Sequence, residues 1–508
     1  MTSLDNALAR LWTADDDADM LQQDGRWVCW GQVRRLAERI DRELGAAGCG
    51  RGGRVAVVLS NRMESVATLI ALFRAERILV TVSPLQPPHR LSADLATTGA
   101  SYVLAPDKLW SENAFREAVA ELGAVGWSVD GDAVELRTTA SREPRDGDPA
   151  VAIEMLTSGT TGPPKRIPLT RRQLEASLAA ALRHHDRPEV RDKPPFTGAV
   201  ALVTIPIVHI GGLWALLQSL VSARRFVLLE RFTVAGWYAA VKEHKPILAG
   251  LPPAAIRSVL DSDIPREDLS SLRAVNAGTA PVDPALVDAF YERYRIPILI
   301  VYGATEFSGA VAGWTVRDFR ARWAEKKGSV GRAFPGVRLR VVDDDGTILP
   351  PGRSGRLQVA SWQVAGDADD WVTTSDLAHL DEDGFLYIDG RADDVIVRGG
   401  FKIAPETVVR VLRGHEAVAD AAVAGIPDQR LGQIPVAGVE LRAGASTTPD
   451  KLREHCRSTL TPYEVPAEIY IVDKLPRGAA LKIDRRQLIA MLESRRKEPR
   501  VRTSEHVG

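Results

Sequence analysis

A chain of 508 residues exceeds what one ordinary core organises, so length predicts a large domain built of subdomains plus a smaller one. Its 45% hydrophobic and 26% charged residues are those of a folded globular protein, and 65 basic against 66 acidic side chains leave a net charge of -1. That balance excludes a bulk electrostatic pull towards nucleic acid or an anionic membrane. Cys29, Cys49 and Cys456 are odd in number and lack CxxC spacing, which argues against a disulfide framework or a structural zinc site and suits a reducing cytoplasm. The acidic N-terminus has no basic region leading into an apolar one, and no apolar run reaches spanning length, so neither export nor a membrane span is expected.

In chain order, short β-rich runs (Val55 to Leu59, Val200 to Ile205, Phe226 to Leu229, Ile298 to Val301) alternate with helical patterns such as Ser65 to Phe73. This is the α/β signature of buried, largely parallel strands. Gly48, Gly50 and Gly53 spell GxGxxG, but they precede a strand instead of following one, so they are read as turn residues and not as a dinucleotide fingerprint. Nine histidines include no HExxH. From about Phe334 a β-rich subdomain is expected, with a strand at Val337 to Asp343 and a turn at Asp344-Asp345-Gly346. The chain turns polar at Asp389 to Asp394, which places a boundary between an N-terminal domain, 1–392, and a compact α+β domain, 393–508, of about 115 residues. Its tail, 494–508, is charged and Pro-interrupted and is expected to fray.

The strongest local signal follows the apolar run Val151-Ala152-Ile153: Thr157-Ser158-Gly159-Thr160-Thr161-Gly162-Pro163-Pro164-Lys165. Small hydroxyl residues and glycines let N–H and O–H groups converge on phosphate oxygens, and a lysine adds a point charge. It is no Walker A loop, since no GxxxxGK[ST] occurs. The segment resembles the phosphate-binding signature of the AMP-forming adenylate ligases, the superfamily of acyl- and aryl-CoA synthetases, peptide-synthetase adenylation domains and luciferases. Arg166 stands where that signature has glycine, setting an extra cation beside the loop.

Further signatures recur in order, so the resemblance covers essentially the whole chain. Tyr302-Gly303-Ala304-Thr305-Glu306 is similar to the segment in which the aromatic ring packs on adenine, the threonine meets the α-phosphate and the glutamate carries Mg²⁺. Thr373-Thr374-Ser375-Asp376 resembles a TGD segment, with Ser375 at the glycine position, and implies that Asp376 accepts both ribose hydroxyls. Gly390-Arg391 implies Arg391 on ribose or phosphate oxygens, and Asp393 falls at the hinge position about which a small domain swings. Gly399 and Gly400 would then form the loop facing the acceptor channel in the second conformation, with Lys402 and Glu406 nearby. Leu475 to Arg485 resembles the signature ending in the catalytic lysine, here Lys482, preceded by Leu481 where glycine is usual. Ile205 to Gly212 resembles one wall of the acid pocket, with His209 as gate or carboxylate neighbour. Gly278, Thr279, Ala280 and Pro281 supply the opposite wall and adenine contacts, and Gly303 and Gly309 leave room for the substrate.

The resemblance implies an ATP- and Mg²⁺-dependent ligase that adenylates a carboxylic acid and transfers the acyl group to CoA or to an amine or amino acid. Stand-alone amide-bond synthetases of the coronafacate ligase type share these motifs. No aspartate for an α-amine occurs in Val203 to Gly212, which favours an acid that is not an amino acid. A non-catalytic nucleotide-binding or carrier-docking protein of the same fold is the alternative, and joint retention of Lys165, Glu306, Asp376, Arg391 and Lys482 argues against it.

Overall fold

The structure is a computed structural model that describes residues 4–86, 88–157, 165–184, 194–392, 394–398, 401–428, 430–478 and 482–497. A seven-stranded sheet is built around Arg54–Val58, whose five residues are all apolar after Arg54 and nearly all buried. Strands buried on both faces need apolar side chains at every position, and helices such as Met63–Arg74 supply the cover. Ile78–Val82, Tyr102–Ala105, Val125–Asp130 and Val151–Thr157 run parallel to their inner neighbours. Both edges are antiparallel, and one of them is the pair Val151–Thr157 and Lys165–Thr170 on either side of the phosphate segment.

A five-stranded sheet holds Leu248–Leu251, Ala274–Ala277 and Ile298–Ala304 in parallel, then Gly309–Gly313 and Arg332–Ala333 antiparallel. A four-stranded sheet joins Ala201–Val203 and Phe226–Leu228 to the N-terminal hairpin Asp19–Gln23 and Arg26–Cys29, a hairpin not foreseen from the sequence. The expected β-rich subdomain is an antiparallel sheet of Arg338–Val342, Gly355–Ala360, Val372–Leu380 and Leu386–Arg391.

The smaller C-terminal domain carries its own sheet, centred on Val418–Asp428 and Gly432–Leu441, with helices Pro405–Arg413, Pro449–Arg457 and Arg485–Lys497. Its core of Val408, Leu412, Val423, Val439 and Leu452 is separate from the cores of the larger domain. The expected frayed tail begins too early: residues 494–497 complete the last helix. Leu488 and Leu492 bury one face of it, and Arg496 reaches Glu468 at 3.3 Å. Among the described residues no helix is long and apolar enough to cross a membrane.

Candidate active site

Strand register assembles the floor of the site. In the antiparallel pair Val372–Leu380 and Leu386–Arg391, Asp376 lies directly opposite Arg391. The Arg391 guanidinium stops 3.8 Å from the Asp376 carboxylate, because its other nitrogen donates to the Ser375 hydroxyl at 2.5 Å. The second carboxylate oxygen of Asp376 accepts a hydrogen bond from the Tyr302 hydroxyl, and the Asp376 N–H donates to Thr374 at 3.0 Å. Burial and the adjoining carboxylate push the Tyr302 phenol far up, so it stays a donor. Tyr302 lies half-buried two residues past the buried part of Ile298–Ala304, and the chain then tightens into a 3-10 turn, Thr305–Phe307, that leaves Glu306 exposed.

Lys482 comes from the other domain, beside an antiparallel bridge between Arg477 and Ile483. Gly478 donates to the Lys482 carbonyl at 2.8 Å, and Arg477 is held by Asp420 and, at 3.3 Å, by Glu440. The residue stands on an exposed stretch of chain, but its ammonium is crowded on the side facing the floor. Desolvation and the Arg391 guanidinium lower its pKa, opposed by the Asp376 and Glu306 carboxylates. The four charged groups expected to act together are therefore within electrostatic reach of one another.

His209 precedes helix Ile210–Val221 with extended backbone, φ -103 and ψ 147. The segment leading to it is held by Asn61, only 2% exposed, which donates to the carbonyls of Ile205 (3.2 Å) and Leu229 (2.8 Å) and accepts from the Ile207 N–H. Burial, helped by the charge of Lys482, pushes the His209 ring down to about 4, so it is neutral near pH 7. Its Nε2 is buried without a hydrogen-bond partner. Thr279, in the turn after Ala274–Ala277, has φ +70 and a buried hydroxyl that also lacks a partner. A β-branched residue in that region costs about 1–3 kcal/mol. It lies across from the start of the His209 helix: a Cβ built on Gly211 would stand 3.4 Å from the Thr279 methyl.

Two expectations change. The space beside Gly303 and Gly309 is not left for substrate: a Cβ at Gly303 would meet the Gly309 carbonyl at 2.2 Å, and one at Gly309 would meet Ser177 and Trp214 below 3 Å. Those glycines let two strands and two helices approach closely. Gly278 likewise admits Val301, whose side chain would lie 2.8 Å from an added Cβ. Arg166 is no extra cation beside the loop. It turns inward, 13% exposed, onto Asp94, 7% exposed, at 2.5 Å, and donates to the Thr81 carbonyl at 2.8 Å. Lys165, by contrast, is exposed and pairs in register with Thr157. Glu406 packs within its own domain 3.7 Å from Arg413, and burial raises its pKa. Ser158, Gly159, Thr160, Thr161, Gly162, Asp393, Gly399 and Gly400 lie outside the described residues, as do the side chains of Thr157 and Lys402. Ala280, Ala304 and Thr305 are half-buried and Pro281 is exposed.

Sequence reasoning missed Asn61, Ser177, Trp214 and Asp94. Asn61 alone carried a signal, being a polar residue just past the carboxyl end of a buried strand, where open α/β sheets place their sites.

The model of the AMP-binding enzyme family matches residues 9–366, and that of the AMP-binding enzyme C-terminal domain matches residues 410–482. The chain is 30% identical over 493 residues to the sulfoacetate–CoA ligase of Cupriavidus necator, covering 92% of each chain. It is 30% identical over 496 residues to the indoleacetate–CoA ligase of Aromatoleum aromaticum, covering 92% of this chain and 94% of that one. Its fold superposes on the amide bond synthetase McbA of Marinactinospora thermotolerans with a TM-score of 0.81 at 25% identity, over 96% of this chain and 99% of that one. A floor of tyrosine, aspartate and arginine, met from a second domain by a lysine, thus sits in a chain matched along both domains: it belongs to the AMP-binding enzyme family and is an AMP-forming acid ligase.

Proposed function

We propose that Tyr302, Thr305, Glu306, Asp376, Arg391 and Lys482 bind ATP and the reacting carboxylate, and that the acid is an aryl, cyclic or alkyl carboxylic acid without an α-amine. What carries this reading is the electrostatic coupling of the Lys482 ammonium to Arg391, Asp376 and Glu306. A protein that only held a nucleotide would need no lysine from a second domain.

In this reading a carboxylate oxygen of the acid attacks the α-phosphorus of ATP in line. The bond to the bridging oxygen breaks, and pyrophosphate leaves along the side bearing Lys165. Asp376 holds the ribose hydroxyls, and Arg391 and Lys482 offset the negative charge that grows on the phosphoryl oxygens. An exposed single carboxylate at Glu306 suits Mg²⁺, which prefers one or two carboxylates plus phosphate oxygens to an all-protein cage. When bound, Mg²⁺ would neutralise phosphate charge. In the second half-reaction the nucleophile attacks the acyl carbon and AMP leaves.

The acceptor is CoA or an amine. The curated relatives favour CoA, while the McbA likeness and the substitutions at Arg166, Ser375 and Leu481 favour an amine. Free cysteines at 29, 49 and 456 support a reducing compartment, the cytoplasm. The test is incubation with ATP and benzoate, 4-coumarate, indole-3-acetate or octanoate, adding CoA or amines separately, with mass analysis of products. Acid-dependent AMP and pyrophosphate with an acyl-CoA or an amide is expected, and the absence of acid-dependent pyrophosphate exchange would sink the reading. The division into 1–392 and 393–508 with a hinge at Asp393 rests on the sequence. Asp393→Pro should keep pyrophosphate exchange and lose acyl transfer by at least about tenfold, whereas product formation at the normal rate would refute the hinge.

A further inference from the structure

Of the side-chain amides buried among the described residues, Gln363 is the one sealed completely, at 0% exposure against 5% for Gln22, 2% for Asn61 and 7% for Gln173. Its neighbour Val364 and its partner Phe307 belong to an apolar cluster with Val311, Phe334 and Leu357. A residue that only filled space there would be apolar, because a buried amide needs hydrogen bonds to offset its lost hydration. Half of this amide stays unmet, since Oε1 has no partner.

The other half is fully engaged. Nε2 donates to two backbone carbonyls, Phe307 at 3.3 Å and Ala310 at 2.9 Å. The first lies in the turn that carries Thr305 and Glu306, and the second on the returning strand Gly309–Gly313. That chain reversal has little of its own to hold it: the ladder slips register between Tyr302 and Gly303, Ser308 takes a left-handed φ of +55, and Gly309 a φ of +141. An irregularity beside a turn re-aims the side chains beyond it, so a clamp from outside sets their direction. Gln363 is itself held. Its N–H donates to the Ser361 hydroxyl at 3.3 Å, and the Trp362 ring lies 3.5 Å from the guanidinium of Arg172, in the helix that follows the strand Lys165–Thr170. Glu306 is exposed, so the direction of its carboxylate follows from the backbone of this turn.

We propose that Gln363 is a positioning residue: its amide clamps the turn after Ala304 so that the Glu306 carboxylate meets nucleotide-borne Mg²⁺, and it touches no substrate itself. This rests on the adenylation reading above and on the place given there to Glu306. Loss of the clamp should therefore weaken the metal-dependent part of ATP binding and leave the rest.

The experiment uses the full chain and measures ATP affinity by calorimetry, with Mg²⁺ and with EDTA, beside pyrophosphate exchange on an accepted acid. Gln363→Met keeps length and volume and removes the donor. Affinity for ATP with Mg²⁺ should fall by about tenfold and half-saturating Mg²⁺ in exchange should rise to match, the effect of leaving buried carbonyls unmet. ATP affinity in EDTA and acid KM should stay within about twofold. In Glu306→Gln the Mg²⁺ dependence should already be weakened, and adding Gln363→Met should cost little more. A lower Tm with wild-type Mg²⁺ dependence, equal losses with and without Mg²⁺, or additive losses in the double variant would overturn the clamp while leaving adenylation intact. Wild-type Mg²⁺ dependence in Glu306→Gln would overturn the metal role of Glu306 and this inference with it, and absence of exchange in the wild-type protein would overturn the adenylation reading. If methionine compromises folding, Gln363→Asn, one methylene too short to reach both carbonyls, decides by the same two affinities.

Discussion

The floor and the wall of this site are built on opposite terms. On the floor, polar groups are already engaged with one another: Tyr302 donates to Asp376, Arg391 to Ser375, and the Asp376 N–H to Thr374. A nucleotide arriving there exchanges one hydrogen bond for another, a trade with a small net gain. On the wall, His209 Nε2 and Thr279 Oγ1 are buried and unmet, so a ligand oxygen relieves a standing penalty. The floor is thus pre-set in geometry and the wall is pre-set in need. Changes to the two regions should move different Michaelis constants.

Lys482 faces both regions, so its loss should have the largest effect and blur the distinction. Arg391, Asp376 and Glu306 all shift its pKa, and it in turn acts on His209. Lys482→Ala should cut acid-dependent pyrophosphate exchange by about 10²–10³-fold or more, as removal of a charge-stabilising donor does elsewhere. Since the residue lies on exposed chain, Tm should hold. Near-normal exchange would remove the lysine from the chemistry. The depressed pKa adds a sign: an ammonium that deprotonates early should begin to lose exchange activity below the ordinary lysine range as pH rises.

Ser375 tests the floor alone. Its hydroxyl accepts from one guanidinium nitrogen of Arg391, and the other nitrogen lies 3.8 Å from Asp376. In Ser375→Ala the guanidinium should settle onto the carboxylate and compete with the ribose hydroxyls. The expected result is an ATP KM raised by about three- to tenfold with acid KM unchanged, measured by steady-state exchange. An equal rise in both constants would mean that the floor and wall are mechanically coupled, contrary to the contrast drawn above.

What could be read in advance divides along the same line. The motifs from Thr157 to Lys482 occur in order, and local chemistry is enough to assign a carboxylate to ribose or a lysine to phosphate. Strand positions followed from apolar runs such as Val55 to Leu59 for the same reason. Long-range partners are not legible: the sequence offers Arg166 as a cation for the loop because nothing local announces Asp94, 72 positions earlier, as its buried counter-charge. Glycines at 303 and 309 announce a close approach but not of what, and the answer was backbone, Ser177 and Trp214 instead of substrate. Charge at 494–497 suggests fraying, but Leu488 and Leu492 anchor the helix that runs through those residues. The strain at Thr279 is a property of φ, which no residue type declares.

The smallest expected effect concerns the wall and is thermodynamic. His209 in the folded chain titrates near 4, against about 6.5 for an unperturbed histidine, since burial and Lys482 disfavour its charged form. Between those two values the unfolded chain binds the proton and the folded chain does not. The resulting stabilisation of the folded state is therefore full above about pH 6.5 and is lost progressively as pH falls towards 4. His209→Gln keeps a polar side chain of similar reach and removes the titration. Tm of the wild type should fall more steeply than that of His209→Gln over this window, while the two curves run parallel above it. Identical slopes from pH 6.5 to 4 would mean that the ring is hydrated and titrates normally. In that case the wall would hold no unmet donor, and floor and wall would differ only in the ligands they receive.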